Sequence, residues 1–394
     1  MRFWLLCCCL PLTAARADWQ GDIDAESRWF LESGRTGNAD GSVSAAMQLE
    51  YVSDRRERQD RVQFIGFGRI DSLDSSRSGL DLREFNWQSR ASALHVKLGV
   101  SREFWAKTEF FHLVDIICQK NLLEDLRAET QLGQPMLKLD YSLTSQRFEF
   151  WWLPIFRERE FADKDARFQF SPFIRTASAE YESERREYHQ DYALRWSSSF
   201  NPFGLGGADL GMSIFSGTSR DPNLALRADQ QAFWLVPYYP LLEQSGIDFQ
   251  WALGAWLFKG EAVRRRTEPD NYSAWTAGLE YSFIGLMDSN IDMGLVLELM
   301  RDDRNFSATH FFQNDVGLGL RLAFNDVSST EMLISYIDDR ELNSAVWLLE
   351  FTRRLAGDWA LEMDAAVFHD IQEQDILYGI RQDDFVQVTI KWYF

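Results

Sequence analysis

The sequence predicts an all-β chain folded as a single transmembrane antiparallel barrel of about 18 strands, with 16 as the alternative count. Three observations predict it. Apolar and polar residues alternate with period two through most of the chain, the rhythm of strands whose two faces meet different surroundings. The polar positions hold mainly Gly, Ala, Ser, Asp and Glu, unlike the Lys- and Glu-rich outer face of a soluble sandwich. Connections alternate between long and short, so that one end of the barrel carries the loops and the other the turns.

Composition sets the outer bounds. With 394 residues, 45% hydrophobic and 26% charged, the chain has enough apolar material for a large folded structure and is not a disordered or low-complexity protein. Past residue 17 no apolar run approaches the roughly 18 to 20 residues of a spanning helix, which excludes a helical membrane protein. A net charge of -19 excludes a general nucleic-acid binder, which needs a basic footprint to displace counterions from phosphates.

At the N-terminus, Arg2 precedes the apolar stretch Phe3 to Leu12, and Ala15-Arg16-Ala17 places small residues where a signal peptidase reads. Residues 1–17 are therefore expected to be a secretory signal peptide and 18–394 the barrel. Cys7, Cys8 and Cys9 would leave with the signal, and Cys118 remains without an intramolecular partner. That excludes a disulfide scaffold and a cysteine-based zinc site, and leaves Cys118 as a small semi-buried residue.

The strands are read from the C-terminus backward. Val386, Val388, Ile390, Trp392 and Phe394 face one way and Gln387, Thr389, Lys391 and Tyr393 the other. The pattern recurs in Val316 to Phe324, Ile291 to Leu299, Val43 to Tyr51, Leu94 to Val100, Ile247 to Leu257, Trp275 to Phe283, Met332 to Tyr336, Ala345 to Phe351 and Trp359 to Val367. Trp275, Tyr281, Phe283, Trp392 and Phe394 suit the aromatic girdles at a membrane interface. Long polar connections are expected at Gly34 to Asp40, Asp71 to Ser78, Ser101 to Pro135, Phe156 to Glu182, Gly217 to Ala228, Lys259 to Asp270, Asp302 to Phe312, Asp338 to Leu342 and Asp370 to Asp383. Shorter ones are expected at Thr144 to Ser145, Ile284 to Ser289, Asn325 to Ser328 and Ala356 to Gly357. An even strand count returns both termini to the side of the short turns.

The terminal Phe394 with Trp392, Ile390 and Val388 before it resembles the final strand of Gram-negative outer-membrane β-barrel proteins, a porin-like class. The resemblance implies a place in the cell outer membrane, insertion by the barrel assembly machinery through Trp392 and Phe394, and contact with outer-membrane lipid and lipopolysaccharide. It also implies that the short turns are periplasmic and the long loops extracellular.

Two connections stand apart. Ser101 to Pro135 carries Phe104-Trp105-Ala106-Lys107-Thr108-Glu109 and then His112-Leu113-Val114-Asp115-Ile116-Ile117-Cys118-Gln119. Leu113, Ile116, Ile117 and Leu123 fit one stripe of a short helix. Folded into a wide barrel, such a segment narrows the pore, with Trp105, Glu109, His112, Asp115 and Gln119 as the constriction; packing as an outer loop is the alternative. The second connection, Phe156 to Glu182, carries charges of both signs. It suits a solvated loop or, more sharply, a lumenal clamp of Arg157 and Arg159 opposite Glu109 and Asp115.

This region is also similar to a largely uncharacterised group of bacterial outer-membrane proteins sharing Phe-Trp-x-x-Thr-Glu-x-x-His-Leu-Val-Asp-Ile. They carry a later Leu-Gly-Gln-Pro-Met, here Leu132 to Met136, and an Arg-Glu-Arg after Leu-Pro, here Arg157-Glu158-Arg159 after Leu153-Pro154. Ala106 and Cys118 stand where the group has Gly and Asn. The resemblance covers about sixty residues and marks a site without naming its ligand.

The functional expectation is an outer-membrane channel or transporter for small or amphipathic solutes, with no cofactor and no metal. Glu50, Lys97, Arg195, Asp248, Glu280, Asp292, Glu298, Arg321, Glu350, Glu362 and Lys391 would set the lumenal field, and the excess of acid predicts modest cation preference. The alternative is a plugged barrel that serves as the outer-membrane export component of a periplasmic or inner-membrane pump partner. A barrel-embedded hydrolase is the second alternative, but the sequence holds no Gly-x-Ser-x-Gly, His-Glu-x-x-His or Walker loop. His189 and Asp191, about 7 Å apart along one strand face, suit a wall network better than a catalytic pair, and no enzyme is expected.

Overall fold

The computed structural model describes residues 16–35, 39–55, 59–127, 129–230, 232–268, 271–304 and 312–394. The expected signal segment, apart from Arg16 and Ala17, lies outside them. The strands are β1 (Arg16–Phe30), β2 (Gly41–Arg55), β3 (Asp60–Asp71), β4 (Gly79–Ala91), β5 (Leu94–Ser101), β6 (Gln134–Ser142) and β7 (Gln146–Leu153). They continue with β8 (Glu180–Tyr181), β9 (Asp191–Phe200), β10 (Gly207–Thr218), β11 (Asn223–Ala228), β12 (Phe233–Tyr239), β13 (Leu241–Leu253) and β14 (Trp256–Arg266). The last are β15 (Asn271–Phe283), β16 (Asp292–Asp302), β17 (Asp315–Ala323), β18 (Glu331–Asp339), β19 (Ala345–Arg354), β20 (Trp359–His369) and β21 (Phe385–Tyr393).

Eighteen of these form one antiparallel ring, settling the count at 18 rather than 16. Each strand pairs with the next; β7 passes over β8 to β9, and β10 passes over β11 and β12 to β13. The ring closes where β21 pairs with β1, from Asp22 opposite Tyr393 to Phe30 opposite Phe385. Closure leaves no strand edge unpaired, the condition for spanning hydrocarbon with β structure. β8, β11 and β12 form a small separate sheet within the loops.

The burial pattern is inverted relative to a soluble protein. Along β16, Gly294, Val296, Glu298, Met300 and Asp302 are buried in the lumen while Leu295, Leu297 and Leu299 are exposed outward. Outward leucines and valines form an apolar band, a face that only lipid covers favourably. Girdles bound it. At the short-turn end Trp256 meets Tyr281 at 4.5 Å, Tyr281 meets Phe283 at 4.6 Å, and Trp392 meets Phe394 at 5.4 Å. Trp29, Trp275 and Trp347 are exposed at the long-loop end.

Two details of the expected layout change. Ile247 to Leu257 is not one strand: Gly254 takes φ +59°, a left-handed conformation cheap for glycine, and turns the chain between β13 and β14 in two residues. The long connection expected from Lys259 begins only after Arg266, because Lys259, Glu261, Val263 and Arg265 keep the alternation and face inward.

Candidate pore segment and lumen

The connection between β5 and β6, residues 102–133, turns into the barrel and lies on the lumenal faces of β6 to β18. Trp105, Phe111, Leu113, Val114, Ile116, Ile117 and Cys118 pack there against Met136, Trp151, Leu153, Phe215, Leu242, Val263 and Met300. Over the described residues of the segment the expected short helix does not form, and the backbone is irregular apart from a bridge between Lys120 and Gln131. A helix would pair its own backbone and offer one polar face. Here the run 111–119 is buried at every position, and wall side chains take up backbone groups of Leu113, Val114 and Ile117.

The pairing is concentrated on a few side chains. The Glu261 carboxylate accepts from the backbone N–H of Lys107 (2.6 Å), Thr108 (3.1 Å), Leu113 (2.8 Å) and Val114 (3.1 Å), and from the Thr108 hydroxyl (2.9 Å). Glu298 accepts from the N–H of Glu109 at 2.6 Å and Phe110 at 2.9 Å. Arg265 donates to the Leu113 carbonyl at 3.1 Å, Gln244 to that of Val114 at 3.3 Å, and Arg220 to that of Ile117 at 3.0 Å. The bonds made by the glutamate and arginine side chains are charge-assisted, the stronger class. Glycines on the wall let the segment approach: a Cβ at Gly317 would overlap the Phe110 ring, and one at Gly246 would stand 3.3 Å from Val114 Cγ1.

The predicted site residues are dispersed along this segment. Trp105 is buried edge-on against Trp151 at 4.9 Å, with the Arg195 guanidinium 5.2 Å from its ring. Glu109 projects between two wall cations, 2.6 Å from Arg321 and 3.7 Å from Lys259, and both also approach Glu280. Asp115 is buried and accepts from Gln131 at 2.7 Å; burial raises its carboxyl to about 6 although Lys120 and Gln131 favour the charged form. Gln119 accepts from Arg159 at 3.3 Å and donates to the Arg157 carbonyl at 3.4 Å. His112 is 9% exposed, neither ring nitrogen has a hydrogen-bond partner, and burial, with Lys120 and Arg127, lowers its pKa to about 3. A buried polar group without a partner costs about 1–3 kcal/mol.

The Arg157–Arg159 clamp is not formed. Arg157 donates to Asp81 at 2.8 Å and the Gly133 carbonyl at 3.0 Å, and Arg159 to Asp221 at 2.7 Å and the Arg220 carbonyl at 2.8 Å. Arg157 ties its connection to β4 and to the infolded segment, Arg159 ties it to the connection after β10, and Glu109 and Asp115 find partners elsewhere. Among the expected wall residues, Glu280, Glu298 and Arg321 face the segment. Asp292 sits at the turn end of β16 and accepts from the Gly285 N–H and the Asn325 amide, so it holds turns together.

His189 and Asp191 come closer than strand spacing predicts: His189 lies in the loop before β9, and its Nδ1 is 2.8 Å from the Asp191 carboxylate. Asp191 also accepts from Arg220 at 2.5 Å and the Thr218 N–H at 3.0 Å, which makes it the hub of a wall network. Cys118 is buried, with the Glu103 N–H 3.3 Å from its sulfur, and burial pushes its thiol pKa up. Among the described residues no group of three His, Cys, Asp or Glu side chains is arranged to hold a metal ion.

Glu261, Arg265, Gln244 and Arg220 were missed as site residues. The first two fall where a loop was expected, and the signal that finds them is the continued alternation from Lys259 to Arg265. Gln244 and Arg220 carried no local signal, because their role depends on a segment more than a hundred residues away.

Two cavities flank the segment. Beside it, facing β1 to β4 and β19 to β21, lies a cavity of about 740 Å³ lined by eleven carboxylates and six cationic side chains. One wall holds Glu26 bound by Arg69 at 2.8 Å and Arg77 at 2.5 Å; Arg69 also reaches Glu124 of the segment at 2.9 Å. On the other wall Arg127 of the segment meets Glu350 at 2.5 Å. Toward the long loops lies a cavity of about 90 Å³, lined largely by phenylalanine, leucine and methionine side chains.

Solved structures share this architecture. OpdK of Pseudomonas aeruginosa, determined with vanillate, superimposes with a TM-score of 0.55 at 11% identity over 96% of this chain and 98% of that one. OccK9 (OpdG) of the same organism gives 0.56 at 12%, over 96% and 98%. Wzi of Escherichia coli, a carbohydrate-binding outer-membrane barrel involved in group 1 capsule assembly, gives 0.54 at 9%, over 95% and 84%. No protein-family model and no curated protein matches the chain. At these identities the likeness is one of fold. A closed 18-strand barrel with an outward apolar band belongs in the cell outer membrane, its turns periplasmic and its long loops extracellular.

Proposed function

We propose that the chain is an outer-membrane channel for small hydrophilic or amphipathic solutes, with the infolded segment 102–133 setting what passes. The observation that carries this reading is the lateral division of the lumen. The segment occupies the β6 to β18 side and leaves a charged cavity of about 740 Å³ on the other. Carboxylates outnumber cations there, which favours cations over anions. Export to the outer membrane through residues 1–17, and assembly through Trp392 and Phe394, belong to the same proposal.

Planar-bilayer conductance of the refolded mature chain tests it, wild type beside a variant lacking Phe104 to Asp125. A steady open level in the wild type, rising severalfold in the deletion, supports a constricted channel. The dense bonding of the segment to Glu261, Glu298, Arg265 and Arg220 favours a second reading, a plugged barrel that opens with a pump partner. Silence in the wild type with large openings in the deletion supports that one. Silence in both, with folding verified by heat-modifiable migration, refutes both.

A further inference from the structure

The small cavity on the extracellular side of the segment has an unusual lining. Its floor is Phe110 to Leu113, and its roof includes Phe161, Phe170 and Phe312. At about 90 Å³ it has room for about three to four carbons, and with an adjoining space of about 30 Å³ for about five, on the scale by which roughly 150 Å³ accommodates the six carbons of benzene. The adjoining space shares Phe110, Leu126, Arg127 and Phe312 with it. Apolar side chains make up most of the lining, and the charged Arg127, Arg159, Arg265 and Asp221 within it are paired with one another or with Glu350.

Two polar side chains are left over in that lining. His112 contributes both ring nitrogens without a partner, one a donor and one an acceptor in the neutral imidazole. Lys120 forms no ion pair among the described residues, and it is the strongest of the charges acting on His112. Asp221 is the one carboxylate in the lining, and it is engaged by Arg159 at 2.7 Å and Arg265 at 3.1 Å. The charge left to be matched is positive, and the hydrogen-bonding capacity left to be used is that of His112.

We propose that this cavity binds a short-chain monocarboxylate, its alkyl tail among the phenylalanines and its carboxylate at His112 and Lys120. The proposal deepens the channel reading by giving the extracellular face of the segment a solute class, and it rests on that reading only for the direction of entry. A carboxylate supplies the acceptor that the His112 N–H lacks and the direct ion-pair partner that Lys120, which acts on Asp115 only at longer range, does not have among the described residues. The tail replaces empty space with apolar contact.

Isothermal titration of the detergent-solubilised mature chain with sodium hexanoate and 1-hexanol tests this without transport. Saturable one-site binding of hexanoate is expected at pH 7. His112→Phe, which keeps the ring and removes both nitrogens, weakens it at least tenfold. Lys120→Gln weakens hexanoate to a similar degree and leaves hexanol unchanged. Leu224→Trp fills the cavity from its roof and abolishes both. Absence of hexanoate binding in the folded wild type, or equal affinity in wild type and His112→Phe, overturns the proposal. A conducting channel that binds no hexanoate loses this inference and keeps the channel reading. A hexanoate-binding barrel silent with and without residues 104–125 loses the channel reading and keeps the site.

Discussion

Two sides of one barrel meet the same segment in different ways. From β9 to β18 the inward positions in contact with it include small and apolar residues, among them Ala193, Gly246, Val263, Ala274 and Gly317, and the segment lies directly on the wall. On β1, β3, β19 and β20 the inward positions include Asp24, Glu26, Arg28, Arg69, Glu350, Glu362 and Asp364, and the segment reaches this wall through side-chain ion pairs, Glu124 to Arg69 and Arg127 to Glu350, at the border of a cavity. Both sides are antiparallel strands of the one ring. What differs is what the wall's charges bind: on the filled side Glu261, Glu298, Arg265 and Arg220 take up the segment's backbone and let the apolar side chains around them pack, while on the open side Glu26, Arg69 and Arg77 pair mainly with one another. The lumen is therefore filled where the wall's charges receive the segment's backbone and open where they satisfy each other.

Glu261→Ala is expected to disturb this contrast most. It removes the acceptor for four backbone N–H groups, each costing about 1–3 kcal/mol if it stays dry. The segment should loosen from the filled side, with faster hydrogen exchange over residues 104–118 and noisy, enlarged conductance; unchanged exchange would show that the wall does not hold it. Gly317→Leu attacks the same side sterically by displacing the Phe110 ring, an overpacking cost of about 1–3 kcal/mol. A lowered unfolding temperature in heat-modifiable migration checks it.

On the open side, Glu350→Gln with Asp364→Asn releases Arg127 but should leave exchange over residues 104–118 unchanged and reduce cation preference by about twofold, roughly 0.4 kcal/mol in the barrier, read from reversal potentials. An equal disturbance of the segment would erase the distinction between the two sides.

The smallest effect is a pH dependence within the segment. Asp115 has its pKa raised to about 6, so the stability it lends is present below about 4 and lost as pH rises through 6. His112 has its pKa lowered to about 3, so its contribution is present above about 6.5 and lost as pH falls toward 3. The two oppose each other between about pH 4 and 6. Asp115→Asn should leave the His112 dependence, with protection of residues 104–118 falling from pH 7 to 5. His112→Phe should leave the Asp115 dependence, with protection rising over the same interval. Parallel changes in both variants would contradict this assignment.

Much of the wall was legible because alternation is a local property. Val316 to Phe324 and the last ten residues declare their faces by residue type alone, and the loop lengths then order the two ends. The turn at Gly254 was harder, since alternation runs through a two-residue turn without a break in hydropathy. The segment was legible as exceptional, through its length and its dense Phe104 to Gln119 run, but its conformation was not. The spacing of Leu113, Ile116 and Ile117 suits a helix as long as the backbone must pair with itself, and nothing local announces that Glu261 and Glu298 will take that pairing over. Arg157 and Arg159 were legible as charged and near in sequence, yet their partners, Asp81 on β4 and Asp221 in the connection after β10, lie 76 and 62 residues away.

The sequence by itself determined the barrel: its strand faces, its apolar outer band, its aromatic girdles and its division into a loop end and a turn end, because each depends on residues two positions apart. The tertiary structure alone decided where the segment lies, which carboxylates receive its backbone, and which of its polar groups, His112 and Lys120 among them, are left for something else to bind. Those outcomes depend on closure of the ring, which brings β14 and β16 to a segment that leaves β5, and no local pattern encodes a meeting across so much chain.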